Sequence, residues 1–440
     1  MNTLIVLFML FLLTLLGFCV FYLANVLEKK GFLEKISFSF ALGIGICTFQ
    51  MYLYSRFGVM WSPATIVFPW TAIYIAAILK FKPHTFKTQI QKPKSIMSFV
   101  LLVLIIILMA FTSIEATLRP LNAWDGYASW LFRSKMYFIE GSIDPSLVTY
   151  LPTEYPPLVS LLGTFLYVFL GQIDDRAILI TYAVFYISLG SLFYYSVKEK
   201  TGSTMALFFT FLLLSTQNLV RHSGRFEAGQ ADVILGYFLF VSFLLFFEFV
   251  KKRSVKTLAF LHFFLLVTAL TKNDGVPLVL LVEIVLVALT IRQFGYKKLI
   301  LSIIFIVPFF DWQVFKYFEG VVKSPEYIGS SIYPQRLPII IKEFFKELFN
   351  IQNWNLMWLA VIVSSCTVRI KQINLDLATP FIVLAIDLVV LASVFFVTTP
   401  NPSEHIPNVL NRALLHIAPI GVYAVSMCSV LLKLKFKNEK

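Results

Sequence analysis

The stretch TLIVLFMLFLLTLLGFCVFYLA, residues 3–24, contains no charged side chain and decides the fold class. The hydrocarbon core of a bilayer is about 30 Å thick, and a helix needs roughly 20 apolar residues to cross it. The stretch shows no period-two alternation, so a membrane β-strand is excluded. It also lacks a basic start and is too long for a cleavable signal peptide, so we expect it to remain as a transmembrane helix.

Similar runs recur along the chain, and the composition agrees with them. Of the 440 residues, 58% are hydrophobic and only 14% are charged, whereas soluble domains carry about 25% charged residues. A water-soluble globular protein and a disordered one are therefore excluded. We predict an all-α polytopic membrane protein with about thirteen transmembrane helices. They lie near residues 3–24, 36–54, 64–80, 95–115, 177–197, 205–220, 231–250, 256–271, 276–291, 299–315, 355–368, 377–398 and 413–432.

The basic residues indicate which side each loop faces, because cytoplasmic loops carry an excess of Lys and Arg. The short apolar run at 156–171 is ambiguous, and if it spanned the membrane every later loop would change sides. Reading it as a helix along the outer surface places most of the 37 Lys and Arg residues inside. The N-terminus is then outside and the C-terminus inside. The net charge of +13 reflects orientation in the membrane and does not indicate a nucleic-acid partner.

Two connections on the predicted outer side are long, at 116–176 and 316–353. The first is expected to carry two juxtamembrane helices on the outer surface, an amphipathic one that contains Trp130 and Tyr137 and the run at 156–171. Such a platform suits a substrate that is half lipid and half polar. We divide the chain into extra N-terminal transmembrane helices, a catalytic core and C-terminal transmembrane helices, over 1–94, 95–292 and 293–440.

The sequence motifs of several enzyme classes are absent. The cysteines Cys19, Cys47, Cys366 and Cys428 lie in apolar runs without a CxxC pair, which is typical of small core residues. There is no GxGxxG, no Walker A loop and no HExxH, and the five histidines have no metal-binding spacing. The sequence therefore does not support a nucleotide-hydrolysing machine or a zinc enzyme.

Charged residues collect in the connections on the predicted outer side. They are the carboxylates Asp125, Glu154 and Asp232 and the cations Arg225, Lys272 and Arg412. Carboxylates can deprotonate a hydroxyl or hold a divalent metal ion, and cations can stabilise a leaving phosphate. The set fits attack by a hydroxyl on a sugar carbon that bears a lipid phosphate. The alternative for each residue is an ordinary role in a solvated ion pair or a contact with lipid phosphate.

The order of these motifs resembles the GT-C glycosyltransferases, especially the bacterial branch related to protein O-mannosyltransferases and lipid A aminoarabinose transferases, glycosyltransferase family 39. The matching elements are Trp124-Asp125, Glu140-Gly141, Glu154-Tyr155-Pro156-Pro157-Leu158, Asp174-Asp175-Arg176, Arg225 to Asp232 and Thr271 to Gly275. They cover about 117–292. Many relatives have a paired acid where this chain has Asp125 followed by Gly126, which leaves the role of Asp125 as base or metal ligand open.

The resemblance implies a GT-C fold and a polyprenyl-phosphate sugar donor used on the outer face of a bacterial inner membrane. Asp125 would be the catalytic base or would position the acceptor, with Asp232 and Glu154 as supporting acids. The same three acids would hold a divalent metal ion if the enzyme uses one. The donor phosphate would be bound by Arg176, Arg225, Lys272 and Arg412. The substrates would be positioned by Trp124, Trp130, Tyr155, Asn273, Asp274 and His416.

We therefore expect an inverting glycosyltransferase that moves a hexose or pentose to a cell-envelope glycan, a lipid or a protein. One alternative is a transporter or flippase of lipid-linked sugars, which would show inverted repeats and charges at mid-membrane. No convincing internal repeat is present in the sequence. The charged residues cluster at one face of the membrane, with Asp387 as the exception. The other alternative is an O-antigen-type ligase or polymerase, in which Arg412 and His416 would be the key residues.

Overall fold

The structure is a computed structural model that describes residues 1–26, 30–80, 95–143, 155–318, 331–367, 375–398 and 400–438. Within these ranges the protein is all-helical, as predicted, and no strand is present. The helices are α1 (Asn2–Ala24), α2 (Phe32–Arg56), α3 (Pro63–Lys80), α4 (Ile96–Leu118), α5 (Leu131–Glu140), α6 (Leu158–Leu170), α7 (Asp175–Ile178), α8 (Ile180–Thr201), α9 (Ser203–Leu214), α10 (Gln217–Gly224), α11 (Asp232–Lys252), α12 (Val255–Ala269), α13 (Val276–Phe294), α14 (Ile303–Phe318), α15 (Leu337–Leu348), α16 (Ile351–Trp354), α17 (Met357–Thr367), α18 (Leu375–Val397) and α19 (Pro402–Asn438). Short turns of π- or 3-10 type lie at Gly126–Trp130, Asn273–Gly275, Tyr296–Ser302 and Pro334–Arg336.

Ten helical segments in the described ranges are long and apolar enough to cross a membrane, so the chain is an integral multi-pass membrane protein. The predicted number of thirteen is not confirmed. Of the other three predicted spans, the one near 205–220 is a pair of helices, α9 and α10, bent by 67° at the break between them. The runs near 256–271 and 355–368 form the shorter apolar helices α12 and α17.

The ambiguous run at 156–171 forms α6, a short apolar helix that packs against α5 and α2. Every residue from Leu158 to Tyr167 is buried. A helix that is apolar all round is buried among other helices, because no face of it is suited to water. In the structure α6 packs among α1, α2 and α5 and supports the amphipathic α5. Its position along the outer membrane surface stays a prediction.

The centre of the bundle is α11, which packs against α8, α12 and α19. Every residue from Asp232 to Phe243 is buried. A Cβ atom added at Gly236 would lie 3.2 Å from the carbonyl oxygen of Leu415, so this glycine lets α19 approach closely. Because Gly236 lies one turn after Asp232, the close approach brings α19 to the end of α11 that carries this acid.

The first two helices pack backbone against backbone. A Cβ atom added at Gly17 would lie 2.0 Å from the carbonyl oxygen of Ser39, and one at Gly43 would lie 1.7 Å from that of Leu13. Small residues allow such an approach between helices in a membrane. Since α2 also contacts α6 and α8, the N-terminal helices are packed into the rest of the bundle.

We predict that Gly43→Ala lowers the free energy of unfolding by about 1–3 kcal/mol, because the added methyl group forces two backbones apart. The measurement is the unfolding temperature of the purified chain in detergent. Gly45→Ala is the matched control on the same helix. A Cβ atom there meets Val267 Cγ2 at 2.8 Å, and that side chain can move. Equal losses in the two variants would contradict the backbone contact.

Candidate functional site

The candidate site is built around Asp232, the first residue of α11, whose side chain is fully buried. Its Oδ1 accepts a hydrogen bond from Lys272 Nζ at 2.8 Å and lies 2.9 Å from His416 Nε2. Its Oδ2 accepts a hydrogen bond from Arg412 Nε at 3.1 Å. An acid is favoured in the first turn of a helix, and a buried acid has to be paired in this way. Both oxygens of Asp232 are therefore occupied by protein groups.

Lys272 reaches Asp232 from the connection between α12 and α13. The turn that follows places Asp274 beside it, with Lys272 Nζ 2.6 Å from Asp274 Oδ2. Burial opposes the charge on Lys272, but the two carboxylates outweigh this effect and hold the pKa of the ammonium above its ordinary value. Lys272 therefore carries a positive charge at neutral pH.

Arg412 joins the buried acid to an accessible one. Its Nη1 lies 2.6 Å from Asp125 Oδ2, while its Nη2 lies 3.1 Å from Asp232 Oδ2. The side chain of Asp232 is 0% exposed and that of Asp125 is 34% exposed. Of the two carboxylates that Arg412 joins, Asp125 is thus the one that an entering molecule can reach. Arg412 and His416 are four residues apart on α19 and so share one face of that helix.

The loop that carries Asp125 packs directly on the loop that precedes Asp232. A Cβ atom added at Gly229 would lie 3.5 Å from Gly126 Cα. Gly229 has φ 105°, a backbone conformation that favours glycine. These two glycines therefore allow the two acid-bearing loops to meet above α11.

A histidine that the sequence analysis did not select also belongs to this cluster. His222 lies on α10, is buried, and places its Nδ1 3.8 Å from Asp232 Oδ2. That nitrogen has no hydrogen-bond partner among the described residues. The bend between α9 and α10 brings His222 to the site, and a bend of this kind leaves little trace in hydropathy. Its position in the same polar connection as Asp232 was the available signal.

The site does not fit a divalent metal ion. Asp232, Asp274 and His416 each offer one ligand atom, and these atoms lie within 4.8 Å of one another. However, Lys272 Nζ is 2.8 Å from Asp232 and 2.6 Å from Asp274. A metal ion there would have to displace a charged ammonium, which two carboxylates already neutralise.

The sequence suggested Asp125, Glu154 and Asp232 as ligands of one metal ion. In the structure, Asp125 and Asp232 do not face a shared metal site. Arg412 stands between Asp125 and Asp232, so a guanidinium bridges these carboxylates. Glu154 lies outside the described residues. Guanidinium and ammonium groups are suited to phosphate, which Arg binds through two parallel N–H donors.

Two of the predicted phosphate-binding arginines lie elsewhere, at the end of α4. Arg225 Nε is 3.3 Å from Glu115 Oε2, and Arg176 Nε donates a hydrogen bond to the Thr117 carbonyl at 3.2 Å. Lys272 and Arg412 are therefore the predicted cations that the structure brings to Asp232.

The predicted positioning residues divide into accessible and buried ones. Trp124 is 70% exposed beside Asp125, and its ring lies 5.1 Å from that of Tyr127. Trp130 is buried, and its ring lies 5.1 Å from that of Tyr155. Trp124 can contact a substrate, whereas Trp130 and Tyr155 support the loop. Asn273 is partly exposed at the start of the turn that carries the exposed Asp274.

A small apolar cavity, with room for about one water molecule, lies between α2, α6 and α12. It is lined by Gly45, Thr48, Phe49, Tyr52, Pro157, Leu158, Leu161, Leu266, Val267 and Leu270. The Leu158 N–H donates a hydrogen bond to the Leu270 carbonyl at 3.0 Å, two residues before Lys272. The cavity therefore lies near the connection that carries Lys272.

Similarity to known proteins adds no support to this site. No family model, no curated protein and no solved structure matches the chain. The resemblance to GT-C glycosyltransferases remains a prediction from the motifs, and a function has to be argued from the geometry.

We predict that Asp232→Ala destabilises the protein by about 3–5 kcal/mol, because it leaves buried cations without their shared partner. The measurement is the unfolding temperature in detergent. The double variant Asp232→Asn with Lys272→Met removes one charge of each sign and is expected to be more stable than Asp232→Asn alone. No recovery in the double variant would contradict the electrostatic explanation.

Proposed function

We propose that the protein is an inverting membrane glycosyltransferase that moves a sugar from a polyprenyl-phosphate carrier to a hydroxyl acceptor. The observation that carries the proposal is the accessible Asp125 carboxylate 2.6 Å from Arg412, which the buried Asp232 holds from the other side. A base and a phosphate-binding cation are thus presented side by side. The motif resemblance supports the same reaction class.

In the proposed step, the acceptor oxygen bonds to the anomeric carbon while the bond from that carbon to the phosphate oxygen breaks. The hydroxyl proton passes to the Asp125 carboxylate. The electron pair of the broken bond leaves with the lipid phosphate, and attack from the opposite face inverts the anomeric centre. General-base catalysis of this kind contributes about 10²- to 10⁴-fold to the rate.

Arg412 would bind first the Asp125 carboxylate and then the phosphate of the donor. A donor phosphate that takes over its Nη1 frees Asp125 to accept a proton. The phosphate then gains negative charge as Asp125 loses its own, so the attraction of Arg412 is strongest in the transition state. Lys272 supplies a second cation held in place by two carboxylates. Asp232 is a positioning residue, because both of its oxygens are already occupied.

We assign the active site to the outer face of a bacterial inner membrane. The support is the excess of Lys and Arg in the loops predicted to lie on the opposite side. Hydroxyl-bearing acceptors on that face are cell-envelope glycans, lipids and proteins. The thirteen-span GT-C arrangement belongs to this proposal, with the bent pair α9–α10 and the short helices α12 and α17 as the spans beyond the ten long ones.

We predict that Asp125→Asn lowers glycosyl transfer at least about 100-fold, because the amide cannot accept the proton. The measurement is sugar transfer from lipid-phosphate sugars in membranes that contain the full chain. Glu140→Gln is the matched control, since Glu140 is an exposed acid at the end of α5. Undiminished transfer by Asp125→Asn, with normal unfolding temperature, would refute the assignment of the base.

A second candidate function, a transporter of lipid-linked sugars, is favoured by one observation. His262 on α12 and Glu283 on α13 form a buried pair, with His262 Nδ1 2.9 Å from Glu283 Oε2. Glu283 lies seven residues into an apolar helix, and ionisable residues at such depths often mark transport or proton pathways. The sequence analysis had not selected this pair.

The two candidate functions differ in which carboxylate they require. We predict that Glu283→Gln leaves sugar transfer within about twofold of the unaltered chain, because the amide still bonds His262 and touches no proposed substrate group. The measurement compares transfer with the movement of lipid-linked sugar across liposomes. Movement without transfer, abolished by Glu283→Gln and unaffected by Asp125→Asn, would instead establish the transporter.

A further inference from the structure

A second cationic cluster lies at the end of α4, apart from the candidate active site. Arg119 Nε donates a hydrogen bond to Glu115 Oε2, and Arg225 Nε lies 3.3 Å from the same oxygen. One carboxylate faces two guanidinium groups, so the cluster has an excess of positive charge. Arg176 adds a further cation at the same helix end, on the carbonyl of Thr117.

The guanidinium groups of this cluster retain hydrogen-bonding capacity. Arg225 Nε is buried and makes an ion pair with Glu115 without a hydrogen bond to any described residue. Arg119 uses its Nε on Glu115, and its terminal nitrogens donate to no described protein atom. A guanidinium has five N–H donors that need acceptors. An ion pair within α4 would need Arg119 alone, whereas Arg225 reaches the same carboxylate from the connection after α10.

The surroundings of the cluster are apolar and face outward. The ring of Phe226 lies 4.6 Å from Arg119 Cζ and 5.2 Å from Arg225 Cζ, so one aromatic ring contacts both cations. On α4, Ile114 is 56% exposed and Leu118 is 63% exposed, as expected for side chains that contact lipid. Cations beside exposed apolar residues match a molecule with an anionic head and hydrocarbon chains.

We propose that Arg119 and Arg225 bind the phosphate of an anionic phospholipid whose chains lie along Ile114 and Leu118. The site would hold this lipid without reacting with it, because Glu115, the carboxylate of the cluster, already faces both arginines. This assignment gives Arg225 a role in lipid binding and leaves the donor phosphate to Arg412 and Lys272. It does not depend on the glycosyltransferase proposal.

The test is native mass spectrometry of the full chain in detergent, titrated with phosphatidylglycerol and, separately, with zwitterionic phosphatidylcholine. We expect tighter binding of phosphatidylglycerol. Each arginine is expected to contribute about fivefold, so Arg119→Gln with Arg225→Gln weakens this binding about 25-fold. Arg292→Gln removes an exposed arginine near the end of α13 and is expected to change nothing. Equal binding by the double variant and the unaltered chain would overturn the proposal.

A gain of affinity provides a test that misfolding cannot imitate. Glu115→Gln removes the competing negative charge, so it is expected to tighten phosphatidylglycerol binding about fivefold. Unchanged or weaker binding by this variant would overturn the proposal. Inorganic phosphate at the concentration of the lipid is expected to displace none of it. Displacement would identify free phosphate as the ligand and would refute the lipid assignment.

Discussion

The buried carboxylate of Asp232 is the constraint on which the functional end of the molecule depends. It opens α11, and its partners come from the α12–α13 connection and from α19. A carboxylate without water stays charged only when cations and hydrogen bonds replace its solvation. Three separate parts of the chain therefore have to meet at one point. Through Arg412 the same constraint reaches Asp125, so the buried acid also fixes the accessible one.

Much of this end of the fold can be predicted from the sequence, because membrane spans and their charged ends have strong local signals. The start of α11 at Asp232 and the position of Lys272 after α12 follow from hydropathy and agree with the structure. The spacing of Arg412 and His416 indicates a shared helix face. The sequence places Lys272, Arg412 and His416 on the same side of the membrane as Asp232. In the structure, all three contact Asp232 directly.

What the sequence did not indicate is which neighbours each helix has. Hydropathy places a residue at a depth in the membrane, but the direction in which it points around the bundle depends on packing. Arg225 and Arg412 therefore looked equivalent, although one contacts Glu115 and the other contacts Asp232. His222 was missed for the same reason. Similarly, hydropathy did not indicate the neighbours of α6, and the structure shows that it packs against α5, α2 and α1.

The two cationic clusters differ in how their charges are compensated, and this difference separates their roles. At the active-site candidate, three carboxylates surround Lys272 and Arg412, so the cations are held rigidly, and two of these acids, Asp125 and Asp274, remain accessible. At the end of α4, one carboxylate serves two arginines. A site with an accessible acid can move a proton, whereas a site with surplus cations can only hold an anion. In a chain with so few charges, the placement of the carboxylates therefore distinguishes the two clusters as much as the placement of the cations does.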